Sequence, residues 1–438
     1  VTIKTKDLDD TDVEPIETII LTFGTLVNAT TSATDVTLNL TSDDKPSVSS
    51  IVLDQTTIAE NGGAAIITAT ISAAHSKEVT IPLTVTGTST IDTDYSTAFA
   101  SKGMSTIAGG NGQGSATNQF SLPRDIALDN VGNIYVSDNN RIMKWVPGQN
   151  NGTVLLSIVG LQFIHLDSSG NIYASEIDTG YERVMKYTLQ SDGSYISSLV
   201  AGGNNMGSGN EQTWSITSIT VDSSENIYVA DRYNHRVMKW EKGASEGTLV
   251  AGGNGVGSAL NQLNGPYGIH VDGSGNIYVV DNGNNRVMKW EKGASEGTLV
   301  AGGNGVGSAL NQLIAPYDIQ LDSSGNMYIS DTSNDRIIKW AQGALDGEVI
   351  AGGNGQGGAL NQLHRPTGID FDSLGNIYIA DQWNHRIQYI QIAPQITIAA
   401  GSTTGTIAFT GIQDTTDEAD ETIIVTPSTS PTNATSSI

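Results

Sequence analysis

Between about Gly103 and Gln391 the chain writes one unit six times, and this constrains the fold more than any single residue does. The plainest copies are Asp272 to Trp290 (DGSGNIYVVDNGNNRVMKW) and Asp322 to Trp340 (DSSGNMYISDTSNDRIIKW). An Ala-Gly-Gly tripeptide marks the period at Ala201, Ala251, Ala301 and Ala351, with an earlier copy at Ala108. Arg236–Leu263 and Arg286–Leu313 are identical, which reads as a recent duplication. A period of this length makes each unit one supersecondary element that buries its apolar surface against its neighbours.

Each copy holds four short apolar runs parted by Gly, Asn, Asp and Ser. In the fourth they are Tyr267–Val271, Asn276–Val280, Arg286–Trp290 and Gly297–Val300. Val, Ile, Tyr and Trp in short runs between turn residues predict strands, not helices. Four strands per period predict one propeller blade, and hence an all-β fold. The I-x-[VLF]-D strand recurs at Ile126, Ile164, Ile219, Ile269, Ile319 and Ile369, so six blades are expected. The array opens on an orphan outer strand, Ser105 to Ala108, and ends on a third strand, Arg386 to Ile390. The orphan is expected to complete the last blade, so that no long edge stays open.

These copies resemble the NHL repeat through the pattern P-x-G-I-x-x-D-x-x-G-N-I-Y-x-x-D-x-x-N-x-R-[IV], seen best at Pro366 to Ile387. The second copy departs most: Glu176 to Arg183 replaces the usual Asp-x-x-Asn-x-Arg, and an Ala-Gly-Gly loop is missing there. The resemblance implies a six-bladed propeller serving as a ligand or protein platform, and an enzyme only in a minority of members.

Composition narrows the partners. The 438 residues suit two to four domains, and with no cysteine neither disulfides nor thiolate metal sites are available. A net charge of −25 argues against nucleic acid and anionic membrane and favours cations. No apolar run approaches membrane-spanning length. The chain does not open on Met and shows no signal peptide, so it is expected to be a mature product or a segment of something longer.

The flanks carry a second pattern. Asp7 to Glu17, with the strand after it, aligns without gaps with the segment 404 residues further on: Asp10 matches Asp414, Glu14 matches Glu418 and Glu17 matches Glu421. Strands are expected at Val1–Ile3, Glu17–Leu21, Asp35–Leu40, Ile51–Leu53, Ala64–Ile71 and Val79–Val85. With Glu60-Asn61-Gly62, Asp94-Tyr95 and Asp420-Glu421-Thr422-Ile423, these segments resemble the Calx-beta motif, an immunoglobulin-like β-sandwich. The expected division is therefore 1–46, the C-terminal part of one such sandwich; 47–98 and 393–438, the halves of a second; and 99–392, the propeller inserted between them. A guest of this size is tolerated only if its ends lie close together, which ring closure provides. Each sandwich lacks strands that a longer polypeptide or a neighbouring copy would supply.

The Calx-beta resemblance implies calcium at clustered loop carboxylates, a hard cation needing six to eight oxygens. The candidates are Asp9, Asp10, Asp12, Glu14, Asp43 and Asp44 in the first module, and Glu60, Asp94, Asp414, Asp417 and Glu418 in the second. Gln413 stands where an acid is often found, and a solvated acidic turn is the plain alternative. Within the propeller, the Asp-x-x-Asn-x-Arg turns (Asp231/Asn234/Arg236 and equivalents) recur in each well-matched blade and are expected to fix turns. The G-G-N-G-x-G loops have no following helix and are not a nucleotide fingerprint. His165, His270 and Asp370 share one register on alternate blades; packing is expected rather than a three-fold metal site. Trp145, Trp240, Trp290 and Trp340 are expected between blades. No nucleophile–base pair stands out.

The reading that follows is an extracellular structural or adhesive repeat unit of a filament, stalk or surface protein. Sandwiches form its spine, calcium stiffens it, and neighbouring copies or repeats complete it. The alternative is a glycan- or protein-binding propeller, expected to expose aromatic residues on one face, among them Trp214, Tyr233, Tyr267, Tyr317 and Trp383. A propeller-based lyase or hydrolase comes third.

Overall fold

In a computed structural model of the chain, residues 104–391 are described apart from 179, 323, 373 and 374. Outside that span the description covers Ser402 and the strands Glu17–Leu21, Val36–Leu40, Val48–Leu53, Ala64–Ile71, Val79–Gly87, Tyr95–Thr97, Gln395–Ile398, Thr404–Gly411 and Ile423–Pro427. The chain divides into two compact units, Lys102–Gln391, and Val1–Ser101 together with Ile392–Ile438.

The first unit is a six-bladed β-propeller. Its fourth blade is typical: Pro266–Val271, Ile277–Asp281, Arg286–Trp290 and Thr298–Gly302 run antiparallel in sequence order from the axis outward. The second strand is buried along its whole length, because adjacent blades cover both its faces; this explains near-continuous apolar runs such as Ile277-Tyr278-Val279-Val280. The four tryptophans occupy one register, opposite Ile134, Ile227, Ile277 and Met327, and are at most 1% exposed. Each packs among residues of two blades, as Trp290 does with Tyr228, Val237 and Ile277. Tyr187 and Ile390 hold the register in blades two and six. A β carbon at Gly297 would lie 2.9 Å from the Trp290 ring, so the residue after each third strand's turn stays small.

The ring closes as the orphan strand requires. Met104–Gly109 pairs antiparallel with Arg386–Ile390, from Gly109 opposite Arg386 to Met104 opposite Ile390. The last blade is thus built from both ends of the array. The missing Ala-Gly-Gly loop is the one leading into blade two. There Ile158-Val159-Gly160 makes the crossing, with Gly160 at φ +74° and no room for a β carbon beside the Ile177 carbonyl.

Innermost strands are edge strands, and their N–H groups need partners. The neighbouring blade supplies them. Asp125 accepts from the Ile164 N–H at 2.9 Å, Ser218 from Ile269 at 3.3 Å, Asp318 from Ile369 at 2.9 Å and Asp370 from Leu128 at 2.9 Å. At the second junction Glu182 accepts from Ile216 at 2.8 Å, and at the fourth the Gly268 N–H donates to the Tyr317 carbonyl at 2.8 Å.

In the second unit, Val48–Leu53, Ala64–Ile71, Thr404–Gly411 and Tyr95–Thr97 form one sheet in that order, and Gln395–Ile398, Val79–Gly87 and Ile423–Pro427 another. Glu17–Leu21 pairs with Val36–Leu40. Strands from before and after the propeller are therefore hydrogen-bonded to one another, as in Thr404 opposite Thr70 and Ile424 opposite Thr86.

Candidate ligand site at the propeller mouth

The turns between second and third strands, and the loops leading into innermost strands, lie on one face of the ring. They meet blade by blade: the Arg232 N–H donates to the Ser215 carbonyl at 3.1 Å, and the Trp383 N–H to the His364 carbonyl at 3.2 Å. The Asp-x-x-Asn-x-Arg constellation does more than shape its own turn. Asp231 accepts from Asn234 and Arg236 at 2.8 Å and, with its other oxygen, from the Trp214 N–H at 2.7 Å. Arg236 also donates to the carbonyls of Ser208, Gly209 and Gln212. One buried ion pair thus staples the glycine-rich loop to the turn, and it recurs at Arg286, Arg336 and Arg386. The loop is held by its own amides: Asn254 donates to the Asn261 carbonyl, and Gln262 to the Asn254 carbonyl, both at 3.0 Å.

On the same face the innermost strands begin. In five of six blades a β-bulge slips their pairing near the start, as between Pro266 opposite Asp281 and Ile269 opposite Val279. Bulges re-aim side chains. Here Arg124, Gln162 and Tyr267, at one register of three bulged strands, gather at the mouth of the central channel, and Tyr317 joins them from the same register of the blade without a slip. Arg124 donates to Gln162 and its guanidinium lies 5.9 Å from the Phe163 ring centre. Phe163 of blade two stands 6.1 Å from Tyr317 of blade five, so two rings from opposite blades meet across the axis. Tyr317 is 4.9 Å from Tyr267, and Arg232 lies 4.9 Å from both Tyr267 and Tyr233. Tyr233 touches Trp214 edge-on at 5.4 Å. A continuous ladder of rings and guanidinium planes therefore runs from the axis to the rim, where Trp214 and Tyr233 are 47% and 50% exposed. Trp383 forms a separate group, with His364 at 5.0 Å and Arg365 at 5.5 Å.

The electrostatics of the mouth are unusual. Burial pushes the carboxyls of Asp125 and Asp318 well above the ordinary range, and for Asp125 the neighbouring Asp318 adds to the effect. Asp370 is raised to about 7, by burial first and then by Asp318 and Asp372. The Tyr317 hydroxyl is raised by burial, while Arg124 pulls it down.

Of the channel residues singled out in the sequence, His165 is lowered to about 4 by burial and stands edge-on to Tyr173 at 6.3 Å. His270 contacts Gln320 through Nδ1 at 2.9 Å, and Asp370 is engaged by Leu128. Among the described residues no three His, Cys, Asp or Glu side chains gather as a metal-binding group. Asp9, Asp10, Asp12, Glu14, Asp43, Asp44, Glu60, Asp94, Asp414, Asp417 and Glu418 all lie outside the described residues. Phe163 escaped the sequence reading. Its signal was present: at its register the other blades carry Asp125, Ser218, Gly268, Asp318 and Gly368, and it is the one ring.

The NHL repeat family matches residues 213–240 and 363–388. No curated protein matches the chain. Among solved structures, the chain is similar to a protein of unknown function from Bacteroides thetaiotaomicron, at 16% identity and a TM-score of 0.55, covering 80% of this chain and 98% of that one. It also aligns with a gluconolactonase from Xanthomonas campestris (14% identity, 71% and 98% coverage, TM-score 0.49) and an auxiliary nutrient binding protein from Bacteroides ovatus (13%, 75% and 94%, 0.49). What the chain shares with known proteins is thus its NHL repeats and the six-bladed propeller they build.

Proposed function

We propose that the propeller is a binding platform for a glycan, with the ligand lying along the ladder from Trp214 to Tyr317. The observation that carries this reading is a continuous run of rings, half-exposed at Trp214 and Tyr233 and partly buried at Tyr267 and Tyr317, that ends at a mouth narrowed by Phe163 and Tyr317. Aromatic faces beside a few polar groups are the usual make-up of small-ligand sites. Of the five aromatic residues expected on one face, four join the ladder and Trp383 stands apart. A glycan array probed with the full chain tests the reading. Binding is expected, and Trp214→Ala with Tyr233→Ala, the two half-exposed rings, should reduce it at least tenfold at a nearly unchanged melting temperature. An array on which nothing binds, or on which the double variant binds as well as the parent, sinks it.

A second reading rests on the strands of the other unit. Hydrogen bonds between strands before and after the propeller, such as Ala64–Ile71 with Thr404–Gly411, favour a host domain of Calx-beta type carrying the propeller as an inserted guest. On this reading the chain is an extracellular structural or adhesive unit, calcium stiffens the acidic loops, and neighbouring copies or repeats complete the sandwiches. Millimolar calcium should then raise the melting temperature, and chelation should lower it. A melting curve indifferent to both removes calcium from the proposal.

A further inference from the structure

Nine arginines fall among the described residues, and six of them face a carboxylate. Arg141, Arg236, Arg286, Arg336 and Arg386 pair with the turn aspartates at 2.7–2.8 Å, and Arg183 with Glu176 at 2.9 Å. Arg124, Arg232 and Arg365 have no carboxylate within 4 Å among the described residues, and all three lie on the mouth face. In a chain with 46 acids and 21 bases, unopposed guanidiniums confined to one face are not what random surface placement would give.

Two acids at the starts of innermost strands, beside Arg124 and Tyr317 in the chain, are occupied. Asp125 and Asp318 accept backbone N–H groups of the neighbouring blades, and burial favours their neutral forms. Arg124 and Arg232 in turn stand at two points of the ladder: one at the axis beside Gln162, the other between Tyr233 and Tyr267. A guanidinium presents a planar fork suited to a carboxylate, and a ring beside it holds the body of the ligand.

Resting on the glycan-platform reading, we infer that the mouth takes an acidic saccharide, a chain of hexuronates. Arg124 with Gln162 and Arg232 meet sugar carboxylates, while Tyr317 and Tyr267 between them, and Tyr233 beyond Arg232, offer their faces to the sugar rings. A saccharide fits better than an acidic peptide because the two cations are joined by aromatic faces, which a run of Asp or Glu side chains would leave uncovered.

Calorimetric titration of the full chain decides it, with three probes: tetragalacturonate, its methyl ester, and tetraglutamate. Tetragalacturonate is expected to bind at least tenfold tighter than the ester, with a preference that shrinks as salt rises. Arg124→Gln and Arg232→Gln should each remove most of that preference, about tenfold, whereas Lys292→Gln, exposed and away from the mouth, should leave it intact. If Arg124→Gln does not fold, the half-exposed Tyr233→Ala provides the second variant and should weaken both tetramers alike. Equal binding of acid and ester overturns the carboxylate assignment and leaves the platform standing. Tetraglutamate binding without either saccharide overturns the sugar. Binding of none of the three overturns the inference, while the array result judges the platform separately.

Discussion

Asp370 shows how one residue serves closure and carries a pH signature. It sits where blade six meets blade one and holds the Leu128 N–H, yet burial raises its carboxyl to about 7. The unfolded chain should titrate it near 4. Between those values the folded state binds the extra proton, so this residue's contribution is fully present below about pH 4 and is lost as pH rises through about 7. His165, lowered by burial, acts in the opposite sense, contributing stability above its unfolded value of about 6.5 and losing it as pH falls toward about 4. The net curve therefore mixes the two, and the clean readout is a difference. Asp370→Asn keeps an acceptor for Leu128 without the charge. Its melting temperature relative to the parent should be higher at pH 8 than at pH 5 by a few degrees; a difference independent of pH contradicts this assignment.

At the scale of the element, the turn constellation decides more than the glycines around it. Asp281 is fully buried and accepts from Arg286 and Asn284 at 2.7 and 2.8 Å, and from the Asn264 N–H at 2.7 Å. Asp281→Ala leaves Arg286 buried without its partner and unstaples the loop from Ala251 to Leu263. A cost of about 3–5 kcal/mol is expected, read as a lower denaturant midpoint. Trp290→Ala should cost about the same, here through a cavity between blades. The sequence showed that these turns and tryptophans are structural, because they recur in register. It did not show that the arginine reaches back to the carbonyls of Ser258, Ala259 and Gln262, since that bond needs the preceding blade in place.

For the whole molecule, closure by Met104–Gly109 is the feature on which the ring depends. Without it Arg386–Ile390 becomes an open edge. Deleting residues 102–109 should raise amide exchange in Arg386–Ile390 and in its partner Ile377–Asp381 far above that of blades three and four. Uniform exchange across the blades would show that closure contributes nothing to their stability.

Blade number, strand order and the closing strand were legible from the period and the alternation of runs and turns, because each depends on contacts within one unit or between like units. The mouth was legible only in part. Tyr267, Tyr317, Trp214 and Tyr233 could be named as aromatic, and Arg124 and Gln162 as neighbours in register. That Phe163 and Tyr317 meet, that Arg232 lies between two tyrosines, and that three arginines have no carboxylate within 4 Å among the described residues are properties of a closed ring. The chain's local chemistry determines what each blade is. What faces the axis is decided by which blades stand opposite and how the bulges turn their first residues, and no stretch of sequence contains both sides of that contact.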